Sequence, residues 1–185
     1  MFGDTKREEA KLYYLYMLAD GNAANSERKI FDSICNELNV ESDMKKEIID
    51  ECNMIVAENT SILDAITTEE LDEKIKQGWL FELRSDSTRA RIIWNMVNLG
   101  YADSEYSMEE KEIVNYLLDK WSVNEEVYQE FIDTEETIAS LYKYKEWIAA
   151  TFPQGDVRGK KEADVENEVR MLLEDVQLTI KELTM

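Results

Sequence analysis

Two short stretches carry the residues best suited to chemistry. Asp20, Asn22 and Glu27 follow a tyrosine-rich apolar run, and Asp103, Glu105 and Glu110 repeat their spacing further along the chain. All six present oxygen donors, the type that calcium and other hard divalent cations take. Neither stretch is an EF-hand loop, which needs glycine at its sixth position and a bidentate glutamate at its twelfth. Counted from Asp20 those positions are Asn25 and Phe31; counted from Asp103 they are Met108 and Val114. A phosphate-cradling loop is excluded as well, because the second glycine and the lysine it requires are missing. The same glutamates also suit a structural role. A carboxylate in the first turn of a helix meets the positive end of the dipole, Ser107 and Glu110 have capping-box spacing, and Gly21 tolerates a positive φ.

The elements that must position these residues are helical. One proline and six glycines leave little punctuation for an all-β design, and apolar residues recur at three and four. The spacing predicts about seven helices. Thr67-x-x-Glu70 and Ser107-x-x-Glu110 mark two starts, and Asn25 or Ser26, Ser42, Ser85 or Asp86, and Asp133 or Thr134 mark others.

A shift of 83 residues aligns two segments without a gap. Ala19-Asp20 falls on Ala102-Asp103, and Glu27 on Glu110. Ile30, Phe31, Ile34, Cys35, Leu38 and Val40 fall on Ile113, Val114, Leu117, Leu118, Trp121 and Val123. The register continues through Met44, Ile48 and Ile49, which meet Val127, Phe131 and Ile132. The expected fold is therefore an all-α bundle of two pseudo-symmetric helix-loop-helix units plus a C-terminal helix. Tyr13, Tyr14, Tyr16, Trp79, Phe81, Trp94, Trp121 and Trp147 are its large core fillers. Residues 153–161 hold the only proline and two glycines and read as a linker between a helical domain at 8–152 and an amphipathic helix at 162–185. Val165, Val169, Leu172, Val176, Ile180 and Leu183 stripe that helix, for packing on its own domain or for docking to a partner or a second copy.

Charge and composition narrow the function. With 41 acidic against 21 basic residues the net charge is −20, which disfavours direct contact with nucleic acid or anionic membrane surfaces. No apolar stretch approaches a membrane span, and the first residues lack the apolar core of a secretory signal, so a cytoplasmic location is expected. Cys35 and Cys52 sit at apolar helical positions and read as a buried, reduced pair. The absence of histidine removes the usual general base, the triads built on it and imidazole zinc sites. The adjacent pairs Glu109-Glu110, Glu125-Glu126 and Glu135-Glu136 fall near expected helix starts, where the dipole accounts for them without catalysis. Acidic runs such as Glu69-Glu70-x-Asp72-Glu73 admit another role, mimicry of a phosphate backbone in the basic cleft of a DNA- or RNA-processing enzyme.

Leu18-Ala19-Asp20-Gly21 followed by Glu27, and Tyr101-Ala102-Asp103-x-x-x-Ser107-x-x-Glu110, resemble the signature of TerB-like domains, the tellurite-resistance protein B family. That signature is an Ala-Asp-Gly closing one helix and a Ser-x-x-Glu opening the next. The resemblance covers roughly residues 8–150. It implies two packed helical units with acidic loops that bind metal, in bacterial stress-response proteins that act within larger assemblies and not as enzymes. Asp20, Glu27, Asp103 and Glu110 carry over as the metal-facing set, and Asn22 and Glu105 join them on spacing. Calcium or another divalent cation is the ligand expected, and a protein partner or self-association through the C-terminal helix is the expected contact. Two positions depart from the signature. Ser104 stands for the second glycine and Ala24 for the first capping serine, so the cap is expected at Asn25 or Ser26.

Overall fold

The computed structural model describes residues 5–21, 23–58, 61–63, 85–103 and 106–183. Seven helices lie among them: α1 (Thr5–Met17), α2 (Asn25–Glu37), α3 (Ser42–Glu58), α4 (Asp86–Gly100), α5 (Met108–Trp121), α6 (Glu125–Thr151) and α7 (Asp156–Glu182). There is no strand among the described residues, and the fold is all-α. The expected cap at Thr67 and the fillers Trp79 and Phe81 lie outside them.

The 83-residue shift is visible in the backbone. It carries the first residue of α2 onto that of α5, and the first residue of α3 onto that of α6. Among the described residues it also brings together the two non-glycine positions with positive φ, Asn39 at 55° and Ser122 at 51°. Each ends its helix in the same way, since Val40 N–H donates to Cys35 O at 2.8 Å and Val123 N–H to Leu118 O at 3.1 Å. These bonds satisfy carbonyls that a helix end leaves without a partner.

The chain divides into two compact units, Met1–Val123 and Asn124–Met185. In the first, α1 packs on α2, α3, α4 and α5. The contacts between repeats are reciprocal, because α1 meets α5 while α4, its equivalent, meets α2. Every side chain from Glu9 to Met17 is buried, so α1 has no solvent face over that span. A helix enclosed all round must find partners for its polar groups. Lys11 pairs with Glu51, which also accepts from Arg7 Nη2 at 2.8 Å. Burial alone would raise the Glu51 pKa, but the bonds from Lys11 and Arg7 outweigh it and hold the carboxyl below its ordinary value. Across the α1–α4 contact, Arg91 forks onto both oxygens of Glu9 at 2.7 and 2.9 Å. Tyr13 Oη donates to Glu9 at 2.8 Å and accepts from Asn95 Nδ2 at 3.0 Å. Cys35 and Cys52 are free and buried, and burial pushes their thiols up to about 11 and about 12. At those values neither is a thiolate near neutral pH.

In the second unit α6 and α7 form an antiparallel hairpin. Lys145 reaches Glu166 at 2.6 Å, Arg158 Nη1 donates to Ala149 O at 3.1 Å, and Thr179 Oγ1 donates to Glu130 at 2.8 Å. Val165, Val169, Val176 and Ile180 are buried in α7, which packs on α6. Several expectations change here. The chain leaves helix only over residues 152–155, with Gly155 at φ 157°, so 156–161 are helical where a linker was expected. No helix starts at Asp133 or Thr134, because Asn124 Oδ1 caps α6 nine residues earlier by accepting from Glu126 N–H at 2.9 Å. Glu135 therefore lies inside α6 and not at its start. Trp147 is 52% exposed and stacks on Tyr144 at 5.6 Å between ring centroids, so it fills no core.

Candidate acidic-loop site

The loops of interest join α1 to α2 and α4 to α5, both within the first unit. Each opens as a tightening of the preceding helix: Ala19 N–H donates to Tyr16 O, and Ala102 N–H to Leu99 O, both at 3.0 Å. Asp20 and Asp103 follow immediately and are exposed. Gly21, at φ 85°, then takes a conformation that favours glycine.

Each loop closes on a glutamate. Glu110 Oε2 accepts from Ser107 N–H at 2.8 Å while Ser107 Oγ accepts from Glu110 N–H at 3.2 Å, the capping box the spacing predicts. The first loop corrects its prediction. The cap residue is Ala24, neither Asn25 nor Ser26, and having no side-chain oxygen it can take part in only half of the box. That half is present, with Glu27 Oε2 accepting from Ala24 N–H at 2.5 Å. The backbones match closely, Ala24 at φ −63°, ψ 157° and Ser107 at φ −68°, ψ 164°.

Glu27 and Glu110 are buried, at 3% and 5% exposure, and this sets the electrostatics of the site. Burial raises Glu27 to about 7; its bond from Ala24 N–H works against this, while the charges of Glu110, Asp20 and Asp103 add to it. Burial likewise raises Glu110, opposed by its bonds with Ser107 and reinforced by Asp20 and Asp103. Both aspartates thus act on both glutamates, so the two loops share one electrostatic neighbourhood. Asn22 and Glu105, the remaining members of the expected set, lie outside the described residues. Among the described residues no three carboxylate or thiol side chains are gathered into a group that could hold a metal. The donor set fits a hard cation in its chemistry, all oxygen and short of positive charge. Its described part is not a formed coordination shell.

The second loop has a feature without counterpart in the first. Tyr106 is buried against Gly100, where an added Cβ would stand 2.6 Å from its ring and 2.7 Å from Tyr16 Oη. Tyr106 also meets Tyr101 at 5.2 Å, and Lys111 Nζ lies 5.0 Å from its ring centre. The equivalents of Gly100 and Tyr106 are Met17 and Ala23, so bulk and space change places between the repeats. Sequence reasoning also missed the Glu9–Arg91–Tyr13–Asn95 network that joins the helices leading into the two loops. Its trace was the unbroken apolar run Leu12–Met17, which marks a helix buried on all sides.

Paired helix-loop-helix units, each with an aspartate after one helix and a glutamate capping the next, are the arrangement that the resemblance to TerB-like domains implies. Residues 8–131 match the family described as tellurite resistance protein TerB, and the chain belongs to that family. No curated protein and no solved structure matches the chain. Among the described residues no helix is long and apolar enough to cross a membrane.

Proposed function

We propose that this chain is a non-enzymatic TerB-type module of the bacterial stress response. It acts through protein contacts and takes a divalent cation, calcium foremost, at its paired acidic loops. The observation that carries the cation reading is the burial of two glutamates at equivalent positions, each beside the charges of Asp20 and Asp103. Glu27 and Glu110 are buried, and the charges of Asp20 and Asp103 make ionising them harder still. A cation is the ligand that relieves this, because it favours the charged form of every group around it. Asp20, Glu27, Asp103 and Glu110 would hold it, with Asn22 and Glu105 as further donors. The absence of histidine from the whole chain supports a non-catalytic role.

Thermal unfolding followed during calcium and magnesium titration, from a chelator-treated start, tests the cation. A ligand bound only by the native state stabilises it by about 2.7 kcal/mol at a hundredfold excess over Kd, so the midpoint climbs with concentration. Asp20→Ala combined with Asp103→Ala should abolish the climb. A wild-type midpoint that stays flat to millimolar ion, or a climb that survives the double substitution, overturns the cation reading.

A further inference from the structure

Beyond residue 131 the family match ends, yet α6 runs on to Thr151 and α7 to Glu182. This hairpin carries a feature of its own. Glu126, Gln129, Glu130, Asp133 and Thr137 recur at three and four, so they share one face of α6, and with Leu172 of α7 they line an open groove of about 430 Å³. A separate stripe of α6, Val127, Phe131 and Ile138, is buried.

The lining combines two chemistries. Thr134 and Thr137 donate their hydroxyls back to Glu130 O and Asp133 O, at 2.8 and 2.7 Å. With both hydroxyls engaged by the helix backbone, Thr134 and Thr137 are, with Leu172, the least polar residues lining the groove. Glu126, Glu130 and Asp133 are the carboxylates of the lining, and two neutral side chains donate to them. Thr179 Oγ1 donates to Glu130 and Gln129 Nε2 to Asp133, each at 2.8 Å. Among the described residues no lysine or arginine lines the groove.

The spacing of the carboxylates decides between occupants. Carboxylates strung along α6 from position 126 to 133 are separated by about 10 Å of helix rise, too far to share one ion but matched to a rod. A nucleic acid would be repelled by them. The geometry points to the α6–α7 groove as a docking site for a basic amphipathic helix of a partner protein. Apolar side chains at i, i+3 and i+4 seat on Leu172, Thr134 and Thr137, and flanking lysines or arginines reach the three carboxylates. This proposal is independent of the cation reading, since none of its residues belongs to the acidic loops.

The test uses the intact chain and a fluorescent synthetic helical peptide of about 14 residues, with leucines on one face and lysines beside them, read by anisotropy. Glu126→Lys with Asp133→Lys should weaken binding about tenfold or more. The charge-matched control Glu146→Lys with Glu168→Lys, exposed positions outside the groove, should change it less than about twofold. A peptide with serine for leucine, lysines kept, should bind about tenfold more weakly than the parent. Equal weakening by the two double variants would reduce the effect to general acidity and overturn the site. Undiminished binding of the serine peptide would overturn the apolar part of the contact, and no binding of the parent peptide at millimolar concentration would overturn the proposal outright.

Discussion

The loop between α1 and α2 and the loop between α4 and α5 share a backbone frame but are filled differently. In the second, Ser107 and Glu110 cap each other, and Tyr106 covers Gly100. In the first, Ala24 offers only its N–H, and Met17 stands at the glycine's position. The cap dihedrals nonetheless agree within about 10°, smaller than the scatter within regular elements. The glutamate carboxylate is therefore what both loops need for closure, and the serine hydroxyl is an addition. The addition has an electrostatic consequence, because burial raises both glutamates but only Glu110 has a hydroxyl partner that opposes the rise.

The largest consequence should appear in the pH dependence of stability. Glu27 has a native-state pKa of about 7 against an ordinary value of 4.5, so between those values the folded chain binds more protons than the unfolded one. Stability contributed by this group is present below 4.5 and lost as pH rises through 7, a difference of about 3 kcal/mol by the conversion of 1.36 kcal/mol per unit. Urea unfolding in chelator should show stability falling from pH 5 to pH 8. Glu27→Gln should flatten much of that slope and exceed the wild type at pH 8, since an amide keeps an oxygen for Ala24 N–H and carries no charge. A slope that Glu27→Gln leaves intact would mean that the two loops do not differ in this way.

The exchange of bulk between the repeats comes next. Gly100→Ala places a methyl within 3 Å of both Tyr106 and Tyr16, and Tyr106 is itself buried. Overpacking of this kind costs about 1–3 kcal/mol, read as a lower denaturant midpoint at unchanged m-value. Gly159→Ala, with open space around its Cβ, should be neutral or slightly stabilising, as expected in the interior of α7. Equal effects at the two glycines would show that Tyr106 and Tyr16 yield without cost.

These asymmetries also show how far the sequence could be read. The repeat was legible because helical burial repeats the same apolar positions, so Phe31 and Val114, or Ile34 and Leu117, kept their register without identity. Asp20 and Asp103, and Glu27 and Glu110, were legible as equivalent positions because the loops have equal length. The half-cap at Ala24 was not, since a rule that looks for a side-chain oxygen passes over a position where the backbone N–H suffices. The early start of α7 was hidden for a related reason. The break is confined to residues 152–155, and Arg158 immediately ties the new helix to Glu162 at 2.7 Å and to Ala149 O at 3.1 Å, so Gly159 and the lysines that suggested a linker lie inside a helix. The exposure of Trp147 carried no signal in a sequence where every other tryptophan expected in the core and described here is buried.

The smallest effect gives the sharpest comparison. Ala24 already has the dihedrals of Ser107, so Ala24→Ser should complete the first capping box without moving the chain, with the new hydroxyl accepting from Glu27 N–H. Stability should rise by about 0.5–1 kcal/mol, and Ser107→Ala should lose a similar amount from the second loop. The two substitutions should also move the glutamates in opposite directions. Ala24→Ser gives Glu27 the hydroxyl that now helps to hold Glu110 down, so its titration should shift to lower pH, whereas Ser107→Ala should shift that of Glu110 upward. Carboxyl chemical shifts followed through a pH titration separate the two groups. If Glu27 does not move when the serine is installed, burial and the neighbouring carboxylates set its pKa alone, and the loops differ only in cap stability.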